Sequence, residues 1–179
     1  KFLYNGSFRT PDDFYVYPYY TGLSQLALVN RAREQYDGLD IVLKEFTAMF
    51  LYNIAKPYWK KKHICLVDEK YSTRAQDNGY YFFKYCMENL SDEEKKNIYY
   101  VIDKKAPDYE KIKEYDDHII QFMSLKHVLY VLAAVLYVAS DSRTHLYAWR
   151  CKTSLIRSKI DKRPIFFLQH GVTALKRVD

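Results

Sequence analysis

No stretch of this sequence is long enough to cross a membrane. Its longest uncharged apolar run, residues 128–140, falls short of the roughly 18 to 20 residues that a spanning helix needs. Cysteine is scarce, and Cys65, Cys86 and Cys151 are widely separated, with no CxxC pair and no histidine at metal-ligand spacing. That pattern implies no structural metal and predicts a reducing compartment, with Cys65 a small core residue inside an apolar run. Neither GxGxxG nor GxxxxGK[ST] occurs, which argues against a dinucleotide oxidoreductase and a P-loop NTPase. No recognised DNA or RNA motif accompanies the charge, so nucleic acid is not an expected partner. No signal-peptide pattern is present. The chain starts at Lys1 rather than methionine and stops where a helix should be continuing, so both ends are expected to be cut.

What is present suits one substantial core. Of 179 residues, 49% are hydrophobic, and the formal net charge of +6 suits an anionic partner such as a phosphorylated substrate or an anionic lipid. From His63 onward, short β-branched or aromatic runs at 64–67, 98–102, 119–122, 136–139 and 165–168 alternate with helical patterns. The helices are predicted over 79–90, 109–115, 125–134 and, less distinctly, near 151–158. Continuous apolar runs between amphipathic helices describe buried parallel strands, so the predicted class is an α/β, Rossmann-like doubly wound sheet over 63–179. Its strand ends should bring Asp68, Asp103, Ser124, Ser140, Asp141, Gln169 and His170 to one ligand-binding rim.

Residues 1–62 read differently. The segment 14–20 is an extended aromatic run whose Pro18 belongs at a strand edge or end. Residues 39–55 place Leu39, Val42, Leu43, Phe46, Phe50 and Ile54 at helical spacing and end in Trp59, Lys60, Lys61 and Lys62. Either this helix packs on the sheet or on another part of the protein, or it rests on an anionic membrane surface.

Two motifs carry the functional reading. After the first predicted strand of the parallel sheet comes RAQDNGYYFFKY, residues 74–85, and after the last comes FLQHGVTALK, residues 167–176. His170 sits between a buried strand and Gly171, and its ordinary pKa near 6.5 leaves the imidazole able to accept a proton at neutral pH. Gly171 lets the backbone turn toward a phosphate, and Val172, Thr173 and Ala174 offer free N–H groups at a helix start. In the first motif, Asp77 or Asn78 caps the following helix, or Arg74 and Asn78 meet a phosphate chain; both readings stand. Tyr81, Phe82 and Phe83 read as packing. His63, His118, His127 and His145 show no partner pattern.

These motifs, with the strand at 98–102 between them, resemble the CDP-glycerol glycerophosphotransferase family, which includes teichoic acid polymerases. The resemblance runs from about Tyr17 to the end. It implies the amino-terminal half of a GT-B-type catalytic domain, with a second half outside this chain that supplies most of the donor site. The isolated chain is therefore expected to be inactive. The implied reaction moves glycerol phosphate from CDP-glycerol to the terminal hydroxyl of a polyol phosphate acceptor on a lipid carrier and releases CMP, with no metal and no cofactor. It implies His170 as the catalytic base, with Leu168, Gln169, Gly171, Val172, Thr173, Arg74 and Asn78 as substrate contacts. It also implies peripheral attachment at the cytoplasmic face of a bacterial membrane. A CDP-ribitol-using relative, a relative that makes a capsule-type polymer, and a non-catalytic basic module that binds membrane or polyanionic polymer remain alternatives.

Overall fold

The computed structural model describes residues 7–20, 23, 25–148 and 156–169. Three strands, β1 (Phe8–Arg9), β2 (Phe14–Tyr20) and β3 (Leu26–Ala32), form an antiparallel sheet in that order. Pro18 pairs with Leu28 of β3, whereas β1 reaches only as far as Val16. No described strand therefore asks Pro18 for the N–H it lacks, although β2 is central by order. Helices α1 (Leu39–Ile54) and α2 (Lys56–Lys61) follow. Next come β4 (Cys65–Asp68), α3 (Asn78–Asn89), α4 (Asp92–Lys95), β5 (Ile98–Ile102) and β6 (Ile119–Gln121). The described chain continues with α5 (Leu125–Ala133), β7 (Leu136–Ala139), α6 (Arg157–Ile160) and β8 (Ile165–Phe167).

Strands β4 to β8 make a five-stranded sheet in order β6-β5-β4-β7-β8, with every pair parallel. Successive side chains of a strand face opposite sides, and the two cores follow that period of two. Leu66, Tyr99, Val101, Ile120 and Tyr137 face one side and pack with Val128, Val131 and Leu132 of α5 and with Ile41 and Ala48 of α1. Val67, Tyr100, Ile102 and Val138 face the other and pack with Phe83, Cys86 and Met87 of α3. Helices thus cover both faces of a Rossmann-like α/β sheet. Burying an aliphatic or aromatic side chain in such a layer contributes roughly 1.5–3 kcal/mol, which the apolar runs supply repeatedly.

Two expectations change. Strand β8 lies at the sheet's edge, and Phe166 and Phe167 are exposed rather than buried. The helix expected over 109–115 is a pair of 3-10 segments, Pro107–Lys111 and Lys113–His118. The helix expected near 151–158 lies largely outside the described residues, which resume ahead of α6.

Helix α1 turns inward a different face from the one its apolar spacing marks. Its buried residues are Ile41, Glu45 and Ala48, and Glu45 Oε1 accepts a 2.8 Å hydrogen bond from the Tyr147 hydroxyl. Leu39, Leu43, Phe46, Phe50 and Ile54 form an exposed stripe instead. Their spacing of three and four puts them on one face, but that face points to solvent. Among the described residues, no helix is long and apolar enough to cross a membrane.

Candidate functional site at the carboxyl ends of the parallel strands

From β4, the sheet grows to β5 and β6 on one side and to β7 and β8 on the other. The crevice between β4 and β7 is therefore the switch point at which sheets of this kind hold ligands. Asp68 ends β4, Ser140 and Asp141 follow β7, and Leu168 extends β8 by donating its N–H to Ala139 O at 2.8 Å. Asp103 follows β5 and accepts from Gln121 Nε2 at 3.1 Å and from Lys105 N at 3.0 Å. Ser124, also expected on the rim, caps α5 by accepting from His127 N.

The amino terminus of α3 points into this crevice, and three groups hold it. Asp77 is its N-cap, accepting from Asn78 N at 2.8 Å. Glu69, fully buried, accepts from the N–H groups of Gln76, Asp77 and Tyr80 at 3.0, 3.1 and 2.6 Å. Ser140 Oγ accepts from Gly79 N at 2.9 Å. A Cβ on Gly79 would stand 3.0 Å from Glu69 Cγ and Oε1, so the absent side chain is what admits Glu69. Glu69 carried no expectation from sequence, because its partners appear only once residues 70–72 turn back on themselves.

That turn is strained. Lys70, Tyr71 and Ser72 have φ of 34°, 58° and 55°, a left-handed region costly for side chains other than glycine. Ser72 O accepts from Asp103 N at 2.7 Å, which ties the end of β4 to that of β5. Tyr71 is pushed outward, and its ring lies 3.8 Å, centroid to centroid, from that of His145. His145 Nδ1 stands 4.0 Å from Asp141 Oδ2, and burial lowers the imidazole pKa against the pull of that carboxylate. His127, buried within the fold, accepts from Met123 N and is held neutral by burial, its pKa pulled down to about 3.

The sequence-predicted residues separate into two places. Asn78 Nδ2 donates to Gln169 O, which joins the first motif to the last beside β8. Arg74 lies elsewhere, in a groove of about 280 Å³ with Thr73, Asp103, Lys105, Ala106 and Pro107 near the end of β5. Leu168 is half-buried, Gln169 is exposed, and His170, Gly171, Val172 and Thr173 lie outside the described residues. Of the first motif's aromatics, Phe83 is buried, Phe82 half-buried and Tyr81 exposed.

Asp68 is the outlier of the crevice. It is fully buried, and neither carboxyl oxygen has a hydrogen-bond partner among the described residues. Burial first, then the Asp141 and Glu69 carboxyls, hold its pKa well above the ordinary carboxylate value. With the folded pKa raised, the unfolded chain releases this proton at lower pH than the folded one. Stability therefore falls as pH rises above about 4, by at most about 1.4 kcal/mol per pH unit, until the folded pKa is passed. Asparagine has no such proton. An Asp68→Asn variant should gain on the wild type between pH 4 and pH 7 in urea unfolding at each pH. A stability difference independent of pH would show that Asp68 ionises normally.

The comparisons with known proteins are sparse. No family model matches the chain, and no solved structure matches it. The chain is 28% identical over 137 residues to the minor teichoic acid biosynthesis protein GgaB of Bacillus subtilis (strain 168). That match covers 74% of this chain but only 14% of the Bacillus protein.

Proposed function

We propose that this chain is the acceptor-side, amino-terminal half of a GT-B-type transferase that moves glycerol phosphate from CDP-glycerol to the terminal hydroxyl of a polyol phosphate chain in teichoic acid synthesis. The observation that carries the reading is the contact between Asn78 and the carbonyl of Gln169, the residue before His170. It brings the two motifs that resemble the glycerophosphotransferases to one end of a switch-point sheet. The distant similarity to a teichoic acid biosynthesis protein points the same way.

In this reading, the acceptor hydroxyl oxygen attacks the phosphorus of CDP-glycerol, His170 takes the hydroxyl proton, and CMP leaves with the electrons of the broken P–O bond. Gly171, Val172 and Thr173 receive the phosphoryl oxygens through backbone N–H groups, while Arg74 and Asn78 serve the acceptor chain. The test follows radiolabelled glycerol phosphate from CDP-glycerol into polymer, using protein that carries both halves, as wild type and as His170→Asn. Wild-type protein that makes no polymer from CDP-glycerol discards this reading.

The enzyme works, on this reading, at an anionic membrane surface against which α1 lies. The exposed stripe of Leu39, Leu43, Phe46, Phe50 and Ile54 supports this, with Lys56, Lys60 and Lys61 exposed at its end. Beside it, Lys56, Lys60, Lys159 and Arg163 line a cavity of about 340 Å³. Apolar residues flanked by lysines suit insertion at the boundary between headgroups and acyl chains. A Phe46→Ser/Phe50→Ser variant should partition about 10- to 100-fold more weakly onto phosphatidylglycerol vesicles, the scale set by two apolar side chains left in water. An unchanged co-sedimenting fraction would remove α1 from membrane attachment.

A further inference from the structure

A cavity of about 390 Å³ opens where the antiparallel sheet meets the strand-end rim. Tyr17 of β2, Tyr36, Tyr71 and Phe122 line it, so four separate segments each contribute an aromatic ring. Tyr36 meets Phe122 edge to face at 5.7 Å, and Tyr71 is 64% exposed although the His145 ring backs it. The strain of residues 70–72 therefore presents an aromatic face to solvent, where burial does not repay it.

Polar groups complete the lining. Thr73 and Asp103 belong both to this cavity and to the groove that holds Arg74 and Lys105, so the two spaces adjoin. Both cations are exposed, and neither makes a salt bridge to a described residue. Glu34 stands at the cavity's other edge.

We infer that the adjoining cavity and groove bind a sugar phosphate, with the apolar face of the sugar ring against Tyr71 and its aromatic neighbours and the phosphate at Arg74 and Lys105. Aromatic walls suit the flat C–H face of a hexose ring, and the Asp103 and Glu34 carboxylates can accept from its hydroxyls. Arg74 supplies a planar fork matched to phosphate oxygens, and Lys105 a point charge beside it. Arg31 also lines the cavity, but Glu34 and Asp37 pair with it, whereas Arg74 and Lys105 of the groove make no salt bridge to a described residue, so the phosphate lies in the groove. The assignment rests on the reading of this chain as an acceptor-side half, and deepens it by naming a glycosyl phosphate unit as part of the acceptor.

Isothermal titration of the 179-residue chain tests this without requiring turnover, so the site can stand or fall independently of CDP-glycerol transfer. The probes are α-D-glucose 1-phosphate, glucose, inorganic phosphate and CMP. Glucose 1-phosphate is expected to bind tightest, at least about fivefold tighter than inorganic phosphate or glucose, since each alone fills only one part. Tyr71→Ala and Arg74→Gln should each weaken glucose 1-phosphate about fivefold or more, and only Arg74→Gln should also weaken inorganic phosphate. Lys84→Gln, on the outer side of α3, should change nothing, and far-UV circular dichroism checks that each variant is folded. Equal affinity for glucose 1-phosphate and inorganic phosphate, or a Tyr71→Ala variant that binds like the wild type, overturns the sugar subsite. Tighter binding of CMP with the same dependence on Tyr71 overturns it in favour of a nucleotide.

Discussion

Glu69→Ala is expected to destabilise the protein by about 3–5 kcal/mol, with α3 loosened first. The carboxylate is buried and accepts from three backbone N–H groups at the start of that helix. Charge-assisted bonds of this kind are worth about 1.5–3 kcal/mol each, and the partial positive charge of the helix terminus adds to them. Two effects reduce the sum. The donors are partly exposed, so water replaces some of what is lost, and removing Glu69 relieves Asp68 of a neighbouring negative charge. Asp77→Ala is the calibrating variant, because an ordinary N-cap is worth about 1 kcal/mol. Guanidinium unfolding should therefore rank Glu69→Ala well below Asp77→Ala. Equal losses from the two substitutions would mean that Glu69 only fills space and that Asp77 alone holds the helix.

That contrast marks where sequence is legible. A cap at Asp77 or Asn78, just before a helical pattern, is readable because capping is a local rule, and the structure gives it to Asp77. Glu69 is not readable, because three consecutive residues must enter the left-handed region before its carboxylate can reach Gln76, Asp77 and Tyr80. No propensity scale favours Lys70, Tyr71 and Ser72 for that conformation.

The parallel strands were open to reading for a similar reason. Buried strands must be apolar on both faces, and runs such as 98–102 are apolar throughout, so pattern alone distinguishes them from half-exposed strands. Strand β8 carries the same pattern yet lies at the edge, since composition does not encode sheet order. Helix α1 shows the limit more sharply. Its most apolar face is the exposed one, while its inward face carries Glu45, held by a hydroxyl 102 residues away. A pairing that distant leaves no local trace. The aromatic cavity is hidden in the same way: Tyr17, Tyr36, Tyr71 and Phe122 belong to one surface only after two sheets meet.

On the function proposed above, His170→Asn, in protein carrying both halves, is expected to lower kcat about 10²- to 10⁴-fold, the usual worth of general acid–base catalysis. A neutral hydroxyl is a poor nucleophile toward phosphorus, so a base must take its proton as the new P–O bond forms. An imidazole with an ordinary pKa near 6.5 is largely unprotonated at neutral pH and meets that need. The described residues that precede His170 are held by β8, by the Leu168 N–H on Ala139 O, and by Asn78 on the carbonyl of Gln169. Asparagine keeps polarity and approximate size but cannot take the proton, so donor affinity and folding should change little while kcat falls. If His170 is the base, kcat/KM of the wild type should also decline below the imidazole pKa, and the variant should lose that limb of the profile. Asn78→Ala provides a second arm, because it removes the hydrogen bond to the carbonyl of Gln169 and an acceptor contact but leaves the base itself in place. It should lower kcat less than His170→Asn and leave the acidic limb of the pH profile in place. A folded His170→Asn enzyme that turns over at close to the wild-type rate, with the acidic limb intact, would make His170 structural and move the search for the base to the other half.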